Sequence, residues 1–307
     1  MRTPLLLAAL ALPLWAQSAG IPGVVAAGVE PELVKDGFMF TEGPVGTPDG
    51  GLFFTDIRAN KIYRIDPDGK ITTVRMNTGG ANGLALNQGE LYAAEGRDKL
   101  ISRGNQNGRN TTVIDTSSAP LLGAPNDLIF DIRGGFYFTD PGATPMFPKV
   151  AGQVGKVYYV ASSVGIPPYP IDDMIARPNG LTLTLDGRYL LVDDTLGDTI
   201  WSFEVQPKVK SKGGVKKAEF AKIPLLTEGE SLADGMAIDR EGRVYVATGA
   251  GIQVFDKKGK FLGNIKVPKV PSNLAFSGPD KKTLYITARE AVYKLKMLSQ
   301  GPERQGK

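Results

Sequence analysis

The 307-residue chain contains no cysteine and no histidine. The first absence excludes disulfides, thiolate metal sites and cysteine nucleophiles. The second excludes Ser-His-Asp triads, imidazole-bound zinc and histidine general bases. Any catalysis must therefore use carboxylates, amides, hydroxyls, lysine, arginine or a cation held by oxygen. Charge of one sign is also scarce, since 36 basic and 32 acidic residues leave a formal +4. No basic stripe with interleaved aromatics is present, so nucleic acid is not an expected partner. One apolar run stands out, PLLLAALALPLW at 4–15, and it is too short to span a bilayer as a stable helix. Arg2 precedes it and the small residues AQSAG (16–20) follow, the order of an export signal cleaved near Ser18. The expectation is a signal over 1–19, a single domain over 20–307 and a periplasmic or secreted location. No membrane partner is expected after cleavage. An exported chain without disulfides needs a large core, which 42% hydrophobic residues allow.

Glycine (38) and proline (22) are plentiful and favour turns over long helices. Six stretches share one composite pattern: TEGPVGTPDGGLFFTDI from Thr41, ANGLALNQGELYAAEG from Ala81, PNDLIFDIRGGFYFTD from Pro125, PNGLTLTLDGRYLLVDD from Pro178, ADGMAIDREGRVYVAT from Ala233 and PSNLAFSGPDKKTLYIT from Pro271. Each has a polar anchor, a short apolar strand, a turn rich in Asp, Gly or Asn, and a second strand. The anchors are Glu42, Asn82, Asn126, Asn179, Asp234 and Asn273. A propeller blade of four strands takes about 40–45 residues, with insertions placed in loops. The remaining strands of a blade are visible in KIYRIDPDGK (61–70), ITTVRM (71–76), GKVYYV (155–160), TIWSFEV (199–205) and GIQVFDKKGKFLGNIKV (251–267). The sequence thus predicts an all-β, six-bladed β-propeller with four-stranded blades. VVAAGVEPELV (24–34) is expected to supply the outer strand of the last blade and close the ring.

In a propeller the first strand of each blade faces the central channel. The residues opening those strands converge on one mouth of it. Here they are one Glu, one Asp and four Asn, whose oxygens would repel one another if left alone. Glu42 and Asp234 would be neighbouring carboxylates, and one would be driven towards protonation. A divalent cation resolves this, and such oxygen donors suit Ca²⁺ first, with Mg²⁺, Mn²⁺ or Zn²⁺ as alternatives. The competing reading of each anchor is a turn cap that bonds its own backbone. It accounts for single positions better than for all six, and Asn82 and Asn273 are the weaker candidate ligands.

TEGP with Glu42, PND with Asn126 and Asp127, RPNGL with Asn179 and DGM with Asp234 resemble the SMP-30/gluconolactonase/LRE-like (regucalcin-like) propellers, over roughly residues 35–297. The resemblance implies a divalent metal held by Glu42, Asn179 and Asp234. It places Asn126 beside the metal, touching substrate or completing the shell, and it implies hydrolysis of lactones. One departure is Ala124, where regucalcin-like enzymes carry a sugar-holding Arg two residues before the loop Asn. A strongly polyhydroxylated lactone is accordingly less expected as the substrate.

The resulting expectation is metal-assisted opening of a small-molecule lactone. Glu42, Asn126, Asn179 and Asp234 hold the cation, Asp234 acts as general base, and Asn82, Asn126 and Asn273 contact substrate. Two alternatives stay open: a non-catalytic binding scaffold with a structural cation, and a phosphotriesterase-like hydrolase on the same residues. Asp56, Asp140 and Asp194, at or near the end of a second strand, are read as bonding the backbone of neighbouring blades. Glu95 and Arg97 read as a surface ion pair or a substrate contact. The lysine-rich PKVKSKGGVKKAEFAK (207–222) reads as a solvated loop. The insertion DPGATPMFPKVAGQVG (140–155) reads as a surface loop or, through Met146 and Phe147, as a cover over the mouth.

Overall fold

The computed structural model describes residues 19–105, 110–120, 122–142, 154–162, 166–205, 215–226 and 229–303. Residues 1–18 of the expected export signal, the middle of the 140–155 insertion and much of the lysine-rich stretch lie outside them.

The short β-rich runs fold as antiparallel sheets of four strands, six in number. The first described strand, β1 (Glu32–Lys35), stands apart from the blade that follows it. Blade one is β2 (Thr41–Gly46), β3 (Leu52–Asp56), β4 (Lys61–Ile65) and β5 (Ile71–Met76). Blade two is β6 (Ala81–Asn87), β7 (Glu90–Glu95), β8 (Leu100–Gly104) and β9 (Asn110–Ile114). Blade three is β10 (Leu128–Phe130), β11 (Phe136–Asp140), β12 (Lys156–Val160) and β13 (Tyr169–Asp172). Blade four is β14 (Pro178–Leu183), β15 (Tyr189–Asp194), β16 (Thr199–Glu204) and β17 (Lys216–Lys222). Blade five is β18 (Met236–Ile238), β19 (Val244–Thr248), β20 (Gly251–Phe255) and β21 (Phe261–Ile265). Blade six combines β22 (Asn273–Ser277), β23 (Thr283–Ala288) and β24 (Ala291–Lys296) with β1 on its outer edge.

The inner strands pack in succession, β2 on β6, β6 on β10, β10 on β14, β14 on β18, β18 on β22 and β22 back on β2. The ring is therefore closed, and no long sheet edge faces its interior. Closure comes from β1 pairing antiparallel with β24, so the fold matches the six-bladed propeller expected from the repeats.

The apolar faces of neighbouring blades meet in separate clusters, one at each junction. Val45, Phe53, Leu84 and Ala93 join blades one and two. Leu128, Phe138 and Tyr158 pack against Ala85 and Ile101 between blades two and three. Tyr137 and Val157 meet Leu190 and Phe203 between three and four. Ile200 and Leu191 meet Met236 and Phe255 between four and five. Tyr245 and Val254 meet Leu274 and Ile286 between five and six, with Ile21, Val24 and Val25 added from the N-terminal segment. Leu52 and Phe54 meet Ala275 and Val292 where six returns to one. Because each cluster draws side chains from two blades, burying it fixes the angle between them.

Turns inside the blades follow a recurring recipe. Asp239 and Asp256 open turns in which their carboxylates accept from the backbone amides two and four residues on. Gly242 and Gly259 then take positive φ at 82° and 84°, a conformation that costs glycine least.

Candidate active site at the axial mouth

The anchors lie where inner strands begin, and local backbone irregularity turns them out of the ladder. In β2 the register shifts between Glu42 and Val45, in β6 between Ala81 and Leu84, and in β14 between Pro178 and Leu181. Bulges of this kind re-aim the side chain they carry. Here they carry Glu42, Asn82 and Asn179. Asn126 and Asp234 stand two residues ahead of β10 and β18. Asn273 alone sits in regular register, opposite Thr287.

The segments that carry the anchors touch one another in succession around the axis. The hydroxyl of Thr55 donates to the Asn82 carbonyl at 2.9 Å, and the Gly83 amide donates to the Asn126 carbonyl at 2.7 Å. The Thr139 hydroxyl donates to the Asn179 carbonyl at 2.6 Å. Gly180 lies against the Asp234 carbonyl, and the Gly235 amide donates to the Ser272 carbonyl at 2.8 Å. The Asn273 amide nitrogen donates to Glu42 Oε2 at 3.0 Å, and Gly43 lies against the Asn82 carbonyl. All six anchors thus share one circle.

Their chemical states differ. Glu42 is 3% exposed and its Oε2 accepts from both Gly43 N and Asn273 Nδ2. Asn179, 7% exposed, donates from Nδ2 to the Thr195 hydroxyl at 3.0 Å, which directs its amide oxygen the other way. Asn82 and Asn126 are half-buried. The Oδ1 of Asn82 is shielded from solvent and has no hydrogen-bond partner, a costly state for a carbonyl oxygen unless a ligand meets it. Asp234 is deep at the axis, with part of its surface open to the mouth. Burial, then the charges of Glu42 and Asp193, push its carboxyl well above the usual carboxylate range, and Asp127 adds to this while Arg289 opposes it. Asn273 has both polar atoms engaged, Nδ2 on Glu42 and Oδ1 accepting from Leu274 N at 2.9 Å. Its contacts make it a support for Glu42.

Two further acids lie at the axis, Asp127, which the sequence offers only as part of its PND motif, and Asp193, which it does not single out, both fully buried. Asp193 Oδ1 accepts from Gly180 N at 3.1 Å, and Asp127 Oδ1 accepts from Leu128 N at 2.9 Å. The signal for Asp193 is the pair Asp-Asp in VDDT. Successive residues of a strand face opposite ways, so one of the pair turns to the axis and the other, Asp194, away from it.

Asp194, Asp140 and Asp56 hold backbone in equivalent places. Asp56 accepts from Met39 N and Phe40 N, Asp140 from Gly123 N and Ala124 N, and Asp194 from Arg177 N. Each ties the end of a second strand to the segment leading into its own blade's anchor, rather than to the strands of a neighbouring blade. Glu95 departs from expectation. It is buried, and its partners are Arg75 and Ser102. Arg97 is exposed, and its Nη2 donates to Asn60 Oδ1 at 2.6 Å.

Above the circle opens a cleft of about 410 Å³ lined by Asn82, Asn126, Ala124 and Pro125 together with Arg58, Arg97 and Arg177. Among the described residues no three acids converge as a cation cage by themselves. Any ion held here would draw on amide oxygens as well as on Glu42 and Asp234, the mixed oxygen set that hard divalent cations accept.

The model of the SMP-30/Gluconolactonase/LRE-like region matches residues 40–290. Gluconolactonase of Zymomonas mobilis is 26% identical over 286 residues, covering 86% of this chain and 80% of its own. Lactonase drp35 of Staphylococcus aureus is 30% identical over 249 residues, covering 77% and 72%. The solved structure of a gluconolactonase from Xanthomonas campestris superimposes with a TM-score of 0.74 at 25% identity, covering 92% of this chain and 99% of that one. The chain belongs to the SMP-30/gluconolactonase/LRE-like family.

Proposed function

We propose that this propeller hydrolyses a lactone at the axial mouth, with a divalent cation held by Glu42, Asn126, Asn179 and Asp234. Relatives named gluconolactonase and lactonase support the reaction class. One structural observation carries the reading beyond them: Asp234 lies deep at the axis with Glu42 close enough to raise its carboxyl. Two carboxylates in one confined place favour either a bound proton or a bound cation. The unpartnered oxygen of Asn82 beside them fits the same donor set. The cation, when bound, supplies Lewis-acid polarisation of the ester carbonyl.

The chain's own groups then act as follows. Asp234 takes a proton from the water that attacks the carbonyl carbon. It returns a proton to the ring oxygen as the carbon–oxygen bond breaks, leaving a hydroxy acid. A carboxyl raised towards neutrality is suited to both transfers. Asn273 keeps Glu42 oriented, Thr195 keeps Asn179 oriented, and Asn82 and Asn126 face the substrate from the cleft wall.

The test is acid release from glucono-δ-lactone and unsubstituted lactones, first with chelator, then with Ca²⁺, Mg²⁺, Mn²⁺ or Zn²⁺ restored. Hydrolysis is expected only with a cation present. Asp234→Asn is expected to lose about 10²–10⁴-fold in kcat while keeping the parental melting temperature to within a few degrees. A rate indifferent to chelator rules out the cation. A D234N enzyme as fast as its parent rules out the assigned base.

A further inference from the structure

The floor and the rim of the mouth have opposite chemistry. The floor carries the carboxylates of Glu42 and Asp234, with Asp193 and Asp127 buried nearby and acting on Asp234, whereas the cleft above carries Arg58, Arg97 and Arg177 and no carboxylate. Arg58 is exposed and pairs with no acid among the described residues. Its guanidinium stacks on Phe40, 5.3 Å from the ring centroid, and Arg289 stacks on the same ring at the same distance. Arg97 is held from behind by Asn60, whose backbone takes a positive φ of 60° and whose Oδ1 also accepts from Thr78 Oγ1 and Gly80 N. Arg177 is half-buried and lines the cleft beside Asn126. Guanidinium groups fixed by stacking or a hydrogen bond lose little freedom when they receive a planar anion.

We propose that the natural substrate is an anionic lactone, carrying a carboxylate or phosphate besides its ester, and that Arg58, Arg97 and Arg177 receive that charge. The proposal rests on the lactone reading above and adds the substrate class to it. The rim arginines are too many for a neutral sugar ring, and Ala124 leaves the cleft wall beside Asn126 apolar. The cleft volume falls within the range that holds a small substituted ligand. The hydroxy-acid product brings a carboxylate to the site from any lactone. A rim built only for the product would therefore not distinguish charged from neutral substrates.

The experiment compares kcat/KM for glucono-δ-lactone with that for its 6-phosphate and for a glucaric acid monolactone, in the parent, R58A, R97A and the control R103A. Arg103 pairs with Glu90 on blade two and does not line the cleft. The parent is expected to prefer an anionic lactone by about tenfold or more, and that ratio should fall by a similar factor in R58A and R97A but not in R103A. The preferred arm tells phosphate from carboxylate. A parent without preference, or a ratio indifferent to R58A and R97A, overturns the proposal and leaves lactone hydrolysis standing. If no lactone is opened, calorimetry with 6-phosphogluconate and glucarate against gluconate decides. Tighter binding of a doubly anionic acid, lost in R58A and R97A, retains the anion seat without the hydrolase, and equal binding overturns both.

Discussion

Glu95 illustrates how burial overrides an ion pair at the scale of one residue. Its carboxylate meets Arg75 and Ser102 at the junction of blades one and two. Even so, desolvation dominates and raises its pKa above the ordinary 4.5, with Ser102 and Arg75 acting in the opposite direction. A raised carboxyl contributes stability that is complete below its unfolded pKa and lost as pH rises through the folded one. Glu95→Gln removes that titration. Its melting temperature should therefore gain on the parent's as pH rises from about 4 to about 7. Parallel melting curves across that range would contradict the assignment, which follows the general rule that desolvation can outweigh a buried pair's attraction. The sequence shows Glu95 next to Arg97 and hides Arg75, because the true partner comes from the outer strand of another blade. Asp193 was hidden for a different reason: two adjacent carboxylates in a strand face opposite sides, and composition does not say which side is the axis.

At the scale of the element, the inner strand and its anchor form one device. Four anchors are followed by glycine, at Gly43, Gly83, Gly180 and Gly235. A Cβ on Gly180 would overlap the Asp234 carbonyl, and one on Gly43 would overlap the Asn82 carbonyl. These glycines are required by close approach between blades. Gly180→Ala should cost about 1–3 kcal/mol through overpacking and should displace Asp234, so loss of stability and of activity should appear together. Gly249→Ala, whose Cβ would meet Leu232 Cδ1 at 3.4 Å and the Ser231 carbonyl oxygen at 3.7 Å, both ordinary contacts, serves as the control in thermal denaturation. If G180A melts with G249A, the circle of contacts is looser than described. The anchor-glycine pattern was legible as a repeat. Its reason was not, because it lies in the neighbouring blade's backbone. Of the rim arginines only Arg97 stood out in the sequence, as an ion-pair partner or substrate contact; Arg58 and Arg177 did not, because they follow or precede different strands and share a mouth only once the ring is shut.

At the scale of the molecule, six similar junctions and one special one hold the ring. The repeat pattern revealed six blades because anchor, strand and turn are local features that recur within each. It also indicated where the last blade would find its outer strand, since β1 pairs with β24. Lys269 bridges Asp36, just beyond β1, and Glu290, in the turn before β24. Leu298 N donates to the Val24 carbonyl at 2.8 Å, so the N-terminal segment is fastened on both sides of β1. A chain beginning at Asp36 loses β1 and the packing of Ile21, Val24 and Val25. It is expected to melt well below one beginning at Ala19 and to scatter light on heating as the open edge of β24 self-associates. Equal melting temperatures would show that the seam contributes little.

That seam also sets a timetable. The strand that leaves the ribosome first must wait for the last three before it has a neighbour. Until then five blades form an open arc with a bare flank at each end. The circle of anchors at the axis is therefore completed in the same event that locks the two ends together.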